Sequence, residues 1–348
     1  MPHNALIEQL PHRRMEAWKW TDVRGALGNE KLDQVSGMTS ACAPKFDLPP
    51  GLALVREAHT SAENVMGKLA ANFAGDAYVI TVPLGYSSPE KLFISNLQNG
   101  HGRIVVRIDE GAELNVEETH HSTDASFINL DIRFELARGA KLTRTIHHND
   151  HSDTTRIVTA NINAWADAEI TQYALSFGGG LTRFETRIAS LGADLKADIH
   201  CAYLLNDKRH CDMTSYIDLG AENARIRQSV KGVATDKARG VFQGKFHVRR
   251  PAQHTDAEMR HDAIMLSDTC QVRAKPELEI YADDVACAHG NTVGALDESA
   301  LFYMRQRGIP AKQARALLTQ AFVAEAFDDM TDNTVFMAKI TDWLEENS

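Results

Sequence analysis

A cysteine and a histidine two positions apart, Cys287 and His289, carry the densest chemical signal in this sequence. In an extended segment, side chains at i and i+2 leave the same face, so a thiolate and an imidazole would stand side by side. Such a pair can bind a soft or borderline metal ion, or the imidazole can lower the thiol pKa and make it reactive. The same spacing also arises where a buried cysteine merely neighbours a surface histidine, and spacing alone leaves both readings open. A second group of imidazoles, His120-His121 and His147-His148 with His151 close by, recurs at nearly one offset along the chain. On adjacent layers of a repeating fold they would stack, either as a metal-holding cluster or as a solvated corner whose turn residues are histidine. Asp283 and Asp284 form the one conspicuous acid pair. Neighbours in a strand point to opposite faces, which is poor geometry for paired catalytic carboxylates.

Several chemistries are missing. The five cysteines (Cys42, Cys201, Cys211, Cys270, Cys287) are odd in number and lack CxxC spacing, which argues against a disulfide framework and a zinc ribbon. Cys201 falls in register with Ile199 and Tyr203 and reads as a small core residue. Cys42 sits in a loop-like stretch, and Cys211 and Cys270 have no ligand-spaced partners. Gly178-Gly179-Gly180 is not followed by Lys-Ser/Thr, no GxGxxG opens a βαβ unit, and no G-x-S-x-G elbow exists. An ATPase or a dehydrogenase is excluded by pattern. With 37 Lys+Arg against 47 Asp+Glu, the net charge of −10 disfavours broad binding to nucleic acid or anionic membranes. No run of about 18 apolar residues is present, and the opening Met1-Pro2-His3-Asn4-Ala5-Leu6 lacks a basic n-region and apolar h-region. The expectation is a soluble cytoplasmic protein with reduced thiols.

What must position these groups is a chain of three textures. Residues 1–75 mix a short helical start, a Gly/Ser/Pro-bearing stretch around Ser36 to Pro50, and a helix near Ala62–Phe73. Residues 76–293 read as strand after strand. Ile128, Leu130, Ile132, Phe134 and Leu136 alternate with polar residues, and the alternation recurs at Ile104/Val106/Ile108, Ile199/Cys201/Tyr203/Leu205 and Phe242/Gly244/Phe246/Val248. Residues 294–348 turn helical: Pro310 suits a first turn, and Ala311 to Phe327 is rich in Ala, Leu, Gln and Glu. Within the strand region Gly111-Ala112-Glu113-Leu114 is echoed at Gly139, Asp167, Gly192 and Gly220. A near-constant period with room for two strands per step points to a parallel β-helix, a solenoid whose coils bury their apolar faces on one another. The rival is a large antiparallel sandwich, whose hairpins need no fixed period. Cys287 and His289 lie in a strand-like run, Lys275 to Gly290, near the end of this region.

Five segments in order carry a resemblance: Arg239-Gly240-Val241-Phe242-Gln243-Gly244, Ala252-Gln253-His254-Thr255-Asp256-Ala257, Lys275-Pro276-Glu277-Leu278-Glu279-Ile280-Tyr281-Ala282-Asp283-Asp284-Val285, Cys287-Ala288-His289-Gly290 and Leu301-Phe302-Tyr303-Met304-Arg305-Gln306-Arg307-Gly308-Ile309. Together they resemble the SufB/SufD family of iron–sulfur cluster assembly proteins. Arg13-Arg14-Met15-Glu16-Ala17-Trp18-Lys19-Trp20-Thr21-Asp22 is similar to the N-terminal signature of its SufD branch. Cys287-Ala288-His289-Gly290 matches the Cys-Ser-His-Gly of that branch, where SufB-like chains carry Glu-His-Glu-Ala, and the modest length agrees. The chain departs at His254, where the family has Lys, at Ala288, and at Met259-Arg260-His261-Asp262-Ala263, where the family is rich in Gln and Asn.

The resemblance implies a right-handed parallel β-helix flanked by an N-terminal helical region and a C-terminal helical domain. It implies a non-catalytic scaffold subunit that works with SufB and the ATPase SufC to assemble and hand over clusters. The cluster-building site would lie at the SufB interface, with His289 facing a SufB cysteine and Cys287 as the neighbouring thiol. SufC would dock on the C-terminal helices, where Leu317, Leu318 and Phe322 fall at helical spacing. One such chain supplies too few ligands to hold a cluster alone, so the cluster would be transient and shared. The family associates reduced flavin with such complexes, although no flavin motif is legible. The edge ending the solenoid near Glu277–His289 would leave unpaired backbone, to be covered by SufB or by a second copy of the chain. Two other readings are a β-helix polysaccharide lyase or hydrolase, and a stand-alone metal-binding module built on the His120/His121/His147/His148 corner.

Overall fold

A computed structural model describes residues 8–31, 38–58 and 64–347. From β3 (Ala77–Val82) onward its strands alternate between two nine-stranded sheets, so each coil of chain contributes one strand to each. The first sheet runs β1 (Lys45–Asp47), β4 (Leu92–Ser95), β6 (Glu113–His121), β8 (Lys141–Asn149), β10 (Glu169–Ser176), β12 (Lys196–Leu205), β14 (Arg225–Ala234), β16 (Asp256–Met265), β18 (Ala286–Gly294). The second runs β2 (Ala53–Glu57), β3 (Ala77–Val82), β5 (Gly100–Ile108), β7 (Phe127–Leu136), β9 (Thr155–Ala164), β11 (Leu181–Ser190), β13 (His210–Leu219), β15 (Arg239–Val248), β17 (Gln271–Ile280). From β3 and β4 onward every pairing is parallel, which establishes the solenoid and rules out the antiparallel sandwich.

Alternation fixes the inward face. Leu114, Leu142, Ile170, Ala197, Ile226 and Ala257 stack in register along the first sheet, and all are buried in one continuous core. One corner of the solenoid repeats more strictly than the sequence echoes. Gly111, Gly139, Asp167, Asp194, Asn223 and His254 all take positive φ, and each is followed by a fully buried residue. The N–H of each donates to a carbonyl one coil further on, those of Arg138, Ala166, Ala193, Glu222, Gln253 and Asp284. The echoes at Gly192 and Gly220 therefore lie two and three residues ahead of the true corner. Asp and Asn tolerate the left-handed region well enough to replace glycine there.

The helices cover the flanks. The segment before residue 76 is not purely helical: β1 and β2 pair antiparallel onto the first coils. Helix α1 spans Val23–Lys31 and α2 spans Val65–Phe73, the latter capped by Asn64 Oδ1 accepting from the Gly67 N–H at 2.7 Å. The N-terminal signature lies on the outer face of the second sheet. Arg183 stacks 4.1 Å from the Trp18 ring and donates to the Ala17 carbonyl, while Lys275 meets Glu16 at 2.7 Å. Helices α3 (Glu298–Gln306), α4 (Ala311–Ala324) and α5 (Thr334–Asn347) follow the last strand, and Pro310 stands one residue before α4. A second core joins them to the first sheet: Phe327, Phe336, Ile340 and Leu344 pack on Tyr173, Leu175, Ala202 and Leu204.

Candidate functional site

The solenoid ends in an uncapped coil. Among the described residues strand β17 pairs only with β15 and β18 only with β16, so each leaves one backbone edge without a partner strand. The strand-like run from Lys275 to Gly290 is two strands in different sheets, separated by a bend over residues 281–285. Asp283 and Asp284 lie in that bend, where Asp284 accepts from the His254 backbone and side chain, the latter at 2.9 Å. They form no acid pair in a strand.

Both candidate ligands nevertheless share a strand and a face. Cys287 pairs with Ala257 and His289 with Met259, and those two neighbours are buried in the interior. Cys287 and His289 therefore point along the inward face, which among the described residues no further coil covers. Cys287 is half-buried against the core and His289 is exposed. At Gly290, the residue after His289, an added Cβ would meet nothing within 4 Å. Burial raises the Cys287 thiol above its ordinary pKa, Asp256 adds to the rise, and a hydrogen bond at the Ala257 backbone opposes it. Free of a ligand, this is a protonated thiol rather than an activated nucleophile. Among the described residues no three His, Cys, Asp or Glu side chains converge as a metal site.

The other cysteines are interior. Burial pushes the Cys42 thiol up to about 11 and those of Cys201 and Cys211 up to about 12. Cys270 donates to the Ser267 carbonyl at 3.1 Å. The histidine corner does stack, with His120 in register with His148 and Thr119 with His147. Three of its four imidazoles are buried and held by hydrogen bonds or ion pairs, so it is not a wholly solvated corner, and among the described residues no three metal-ligating side chains converge there. His120 Nε2 lies 2.9 Å from Glu118, and His148 bonds Ser176 at 2.7 Å and Asp150 at 2.8 Å. His147, on the outer face, sits between Glu117 and Lys339 at 3.3 Å each, with Phe336 edge-on. His121 is exposed and bonds the Asn149 carbonyl.

On the C-terminal helices, Leu317 is 42% exposed and lines an apolar groove of about 510 Å³ with Pro310, Ala316 and Leu344. Leu318 is half-buried. Phe322 is turned onto the solenoid, where the Lys231 ammonium lies 4.7 Å from its ring, so it is packing rather than free surface. The more prominent exposed aromatics are Phe302 at 62% and Tyr303 at 59%, on α3. Sequence reasoning also passed over Asn291, although it continues the period of two from Cys287 and His289.

Residues 93–322 match the family model described as SUF system FeS cluster assembly, SufBD core domain. The chain is 29% identical to the iron–sulfur cluster assembly protein SufD of Escherichia coli, over 93% of this chain and 86% of that one. It is 24% identical to an iron–sulfur cluster assembly SufBD family protein of Synechocystis, over 92% and 84%. Against the chloroplastic protein ABCI7 of Arabidopsis thaliana it is 27% identical, over 75% and 58%. With residues 93–322 matched, a stretch that covers most of the parallel solenoid and runs into the helices after it, and with N-terminal and Cys-x-His segments of SufD character, this chain belongs to the SufB/SufD family of iron–sulfur cluster assembly proteins.

Proposed function

We propose that the chain is a non-catalytic scaffold subunit of the cytoplasm, on which iron–sulfur clusters are built and from which they are passed on, in a complex with SufB and the ATPase SufC. The observation that carries this reading is the inward placement of Cys287 and His289 at an uncapped coil. Two donors are half of a cluster site, since iron–sulfur ligation needs about four thiolate or imidazole positions. The other half has to come from a chain that meets β17 and β18 edge to edge, and unpaired strand edges favour such pairing. The His289 imidazole offers a nitrogen to iron, and iron binding draws the proton from the Cys287 thiol, which burial holds above its ordinary pKa. SufC is assigned to the surface of α3 and α4 around Phe302, Tyr303 and Leu317, which are exposed and apolar.

Reconstitution of the assembled complex with iron and sulfide, followed by visible absorbance, tests the site. His289→Ala is expected to abolish most of the cluster yield while leaving subunit assembly and thermal stability unchanged. Cys287→Ala is expected to lower the yield less, since SufB supplies the principal thiolate. Wild-type yield from His289→Ala would remove the proposal. Light scattering on the eluting complex tests the edge: a chain still monomeric at micromolar concentration with SufB added contradicts pairing through β17 and β18.

A further inference from the structure

We propose that Tyr203, His261 and Asn291 form a buried relay that fixes Asn291 as a third polar group of the cluster-building mouth, presenting its amide N–H groups beside Cys287 and His289. The inference rests on the function proposed above. Asn291 follows His289 by two residues on β18 and pairs with His261 of β16, so all three mouth residues share the inward face. Their Cβ positions are about 7 Å apart from one to the next, close enough to address one small cluster.

The relay is built into the solenoid. Tyr203 Oη lies 3.0 Å from His261 Nε2, and His261 Nδ1 lies 2.7 Å from Asn291 Oδ1. Tyr203 and His261 are both fully buried. To reach β16 the Tyr203 ring has to cross β14, and glycines clear its path. A Cβ at Gly232 would stand 2.2 Å from Tyr203 Cζ, and one at Gly240 2.5 Å from Cε2. The Phe242 ring stacks on the His261 imidazole at 5.0 Å, with planes only 3° apart, which holds it against rotation.

Hydrogen-bond accounting sets the direction of the relay. The buried Tyr203 hydroxyl has His261 as its hydrogen-bond partner, so its O–H donates to Nε2; the reverse would leave a buried hydroxyl hydrogen unpaired. His261 then carries its proton on Nδ1 and donates to Asn291 Oδ1. With its oxygen engaged, Asn291 turns its amide nitrogen to the mouth. There it can donate to the sulfide or thiolate of a cluster held by His289, and hydrogen bonds to sulfur stabilise the added negative charge and tune the potential.

Nitrogen-resolved NMR of the full chain without cluster reads the first step: His261 is expected in the Nδ1–H form, and an Nε2–H imidazole overturns the relay. The second step is read on the assembled complex. Asn291→Leu and His261→Phe are expected to lower cluster yield about tenfold and to shift the visible spectrum of what remains, with subunit assembly unchanged. Tyr203→Phe, which removes one hydroxyl, covers a His261→Phe chain that fails to fold, and Asn291→Gln should restore part of the yield. If His289→Ala abolishes clusters while Asn291→Leu and Tyr203→Phe leave yield and spectrum as in the wild type, the relay is wrong and the function stands. If His289→Ala and Asn291→Leu are both without effect, the function and the relay fall together.

Discussion

Charges sit deep inside this solenoid, and each is paired. Arg144 holds Glu118 through two contacts of 2.5 and 2.9 Å, and Arg156 holds Asp150 through contacts of 2.6 and 2.8 Å. Burial alone would raise the Glu118 carboxyl; Arg144 and His120 bring it down to about 2. The imidazoles go the other way. Burial holds His101, His120 and His210 down to about 4, because the cation cannot be hydrated there. Their folded pKa lies below the unfolded value of about 6.5, so the unfolded chain binds more protons between pH 6.5 and pH 4, and stability falls as pH drops through that window. Each such histidine costs on the order of 1–2 kcal/mol at pH 5. Urea denaturation at pH 7.5, 6 and 5 is expected to show a steady fall in midpoint, and a flat profile contradicts it. The paired histidines were legible as a stack, since a fixed offset in a fixed period demands it. Their role was not, because Glu118, Arg144 and Arg156 had to be recognised as inward by parity before a corner of histidines could be read as an internal network.

At the scale of elements, one corner sets the period of the fold. Six residues in the left-handed region hand an N–H to the next coil, and only the first two are glycine. The Gly-Ala echoes expose the repeat because glycine is conspicuous, and they drift where Asp194 and Asn223 take over, because an Asx in a polar turn looks like any other. The strands themselves were legible throughout: period-two alternation survives in a parallel solenoid whose outer face is only partly covered. The break between β17 and β18 was missed because Tyr281 to Val285 carries no glycine or proline to mark it. Asp194 tests the corner by itself. Asp194→Ala and Asp194→Gly both lose the contact with the Asn223 side chain at 3.1 Å, so the difference between them isolates the backbone. Asp194→Gly is expected to be more stable than Asp194→Ala by about 1 kcal/mol in chemical denaturation; equal stabilities would mean that the corner relaxes out of the left-handed region.

The whole molecule joins solenoid and helices through a second core, and this governs how an ATPase contact can be tested. Phe327 and Phe336 are fully buried, stack edge-on at 4.7 Å, and cover Tyr173, Leu175, Ala202 and Leu204 on the outer face of the first sheet. Lys231 adds a tie, bonded to Asp262 at 3.2 Å and to Glu325 at 2.6 Å. Removing everything after Ala295 would uncover that face, and each large apolar side chain returned to water costs about 2–3 kcal/mol. Truncation is therefore expected to lower the thermal midpoint or to aggregate the chain, and loss of ATPase binding by such a chain would say nothing about the contact. Single substitutions on exposed positions avoid the difficulty. Phe302→Asp, Tyr303→Asp and Leu317→Asp alter side chains that contribute little to either core, so circular dichroism and melting should stay near wild type. Phe322→Ala, by contrast, is expected to destabilise the helices on the solenoid, since it removes the ring beneath Lys231. Titration of purified SufC against each variant separates surface from packing. A tenfold or greater loss of affinity is expected for the α3 aromatics and for Leu317; wild-type affinity in all three variants would contradict the proposed docking surface.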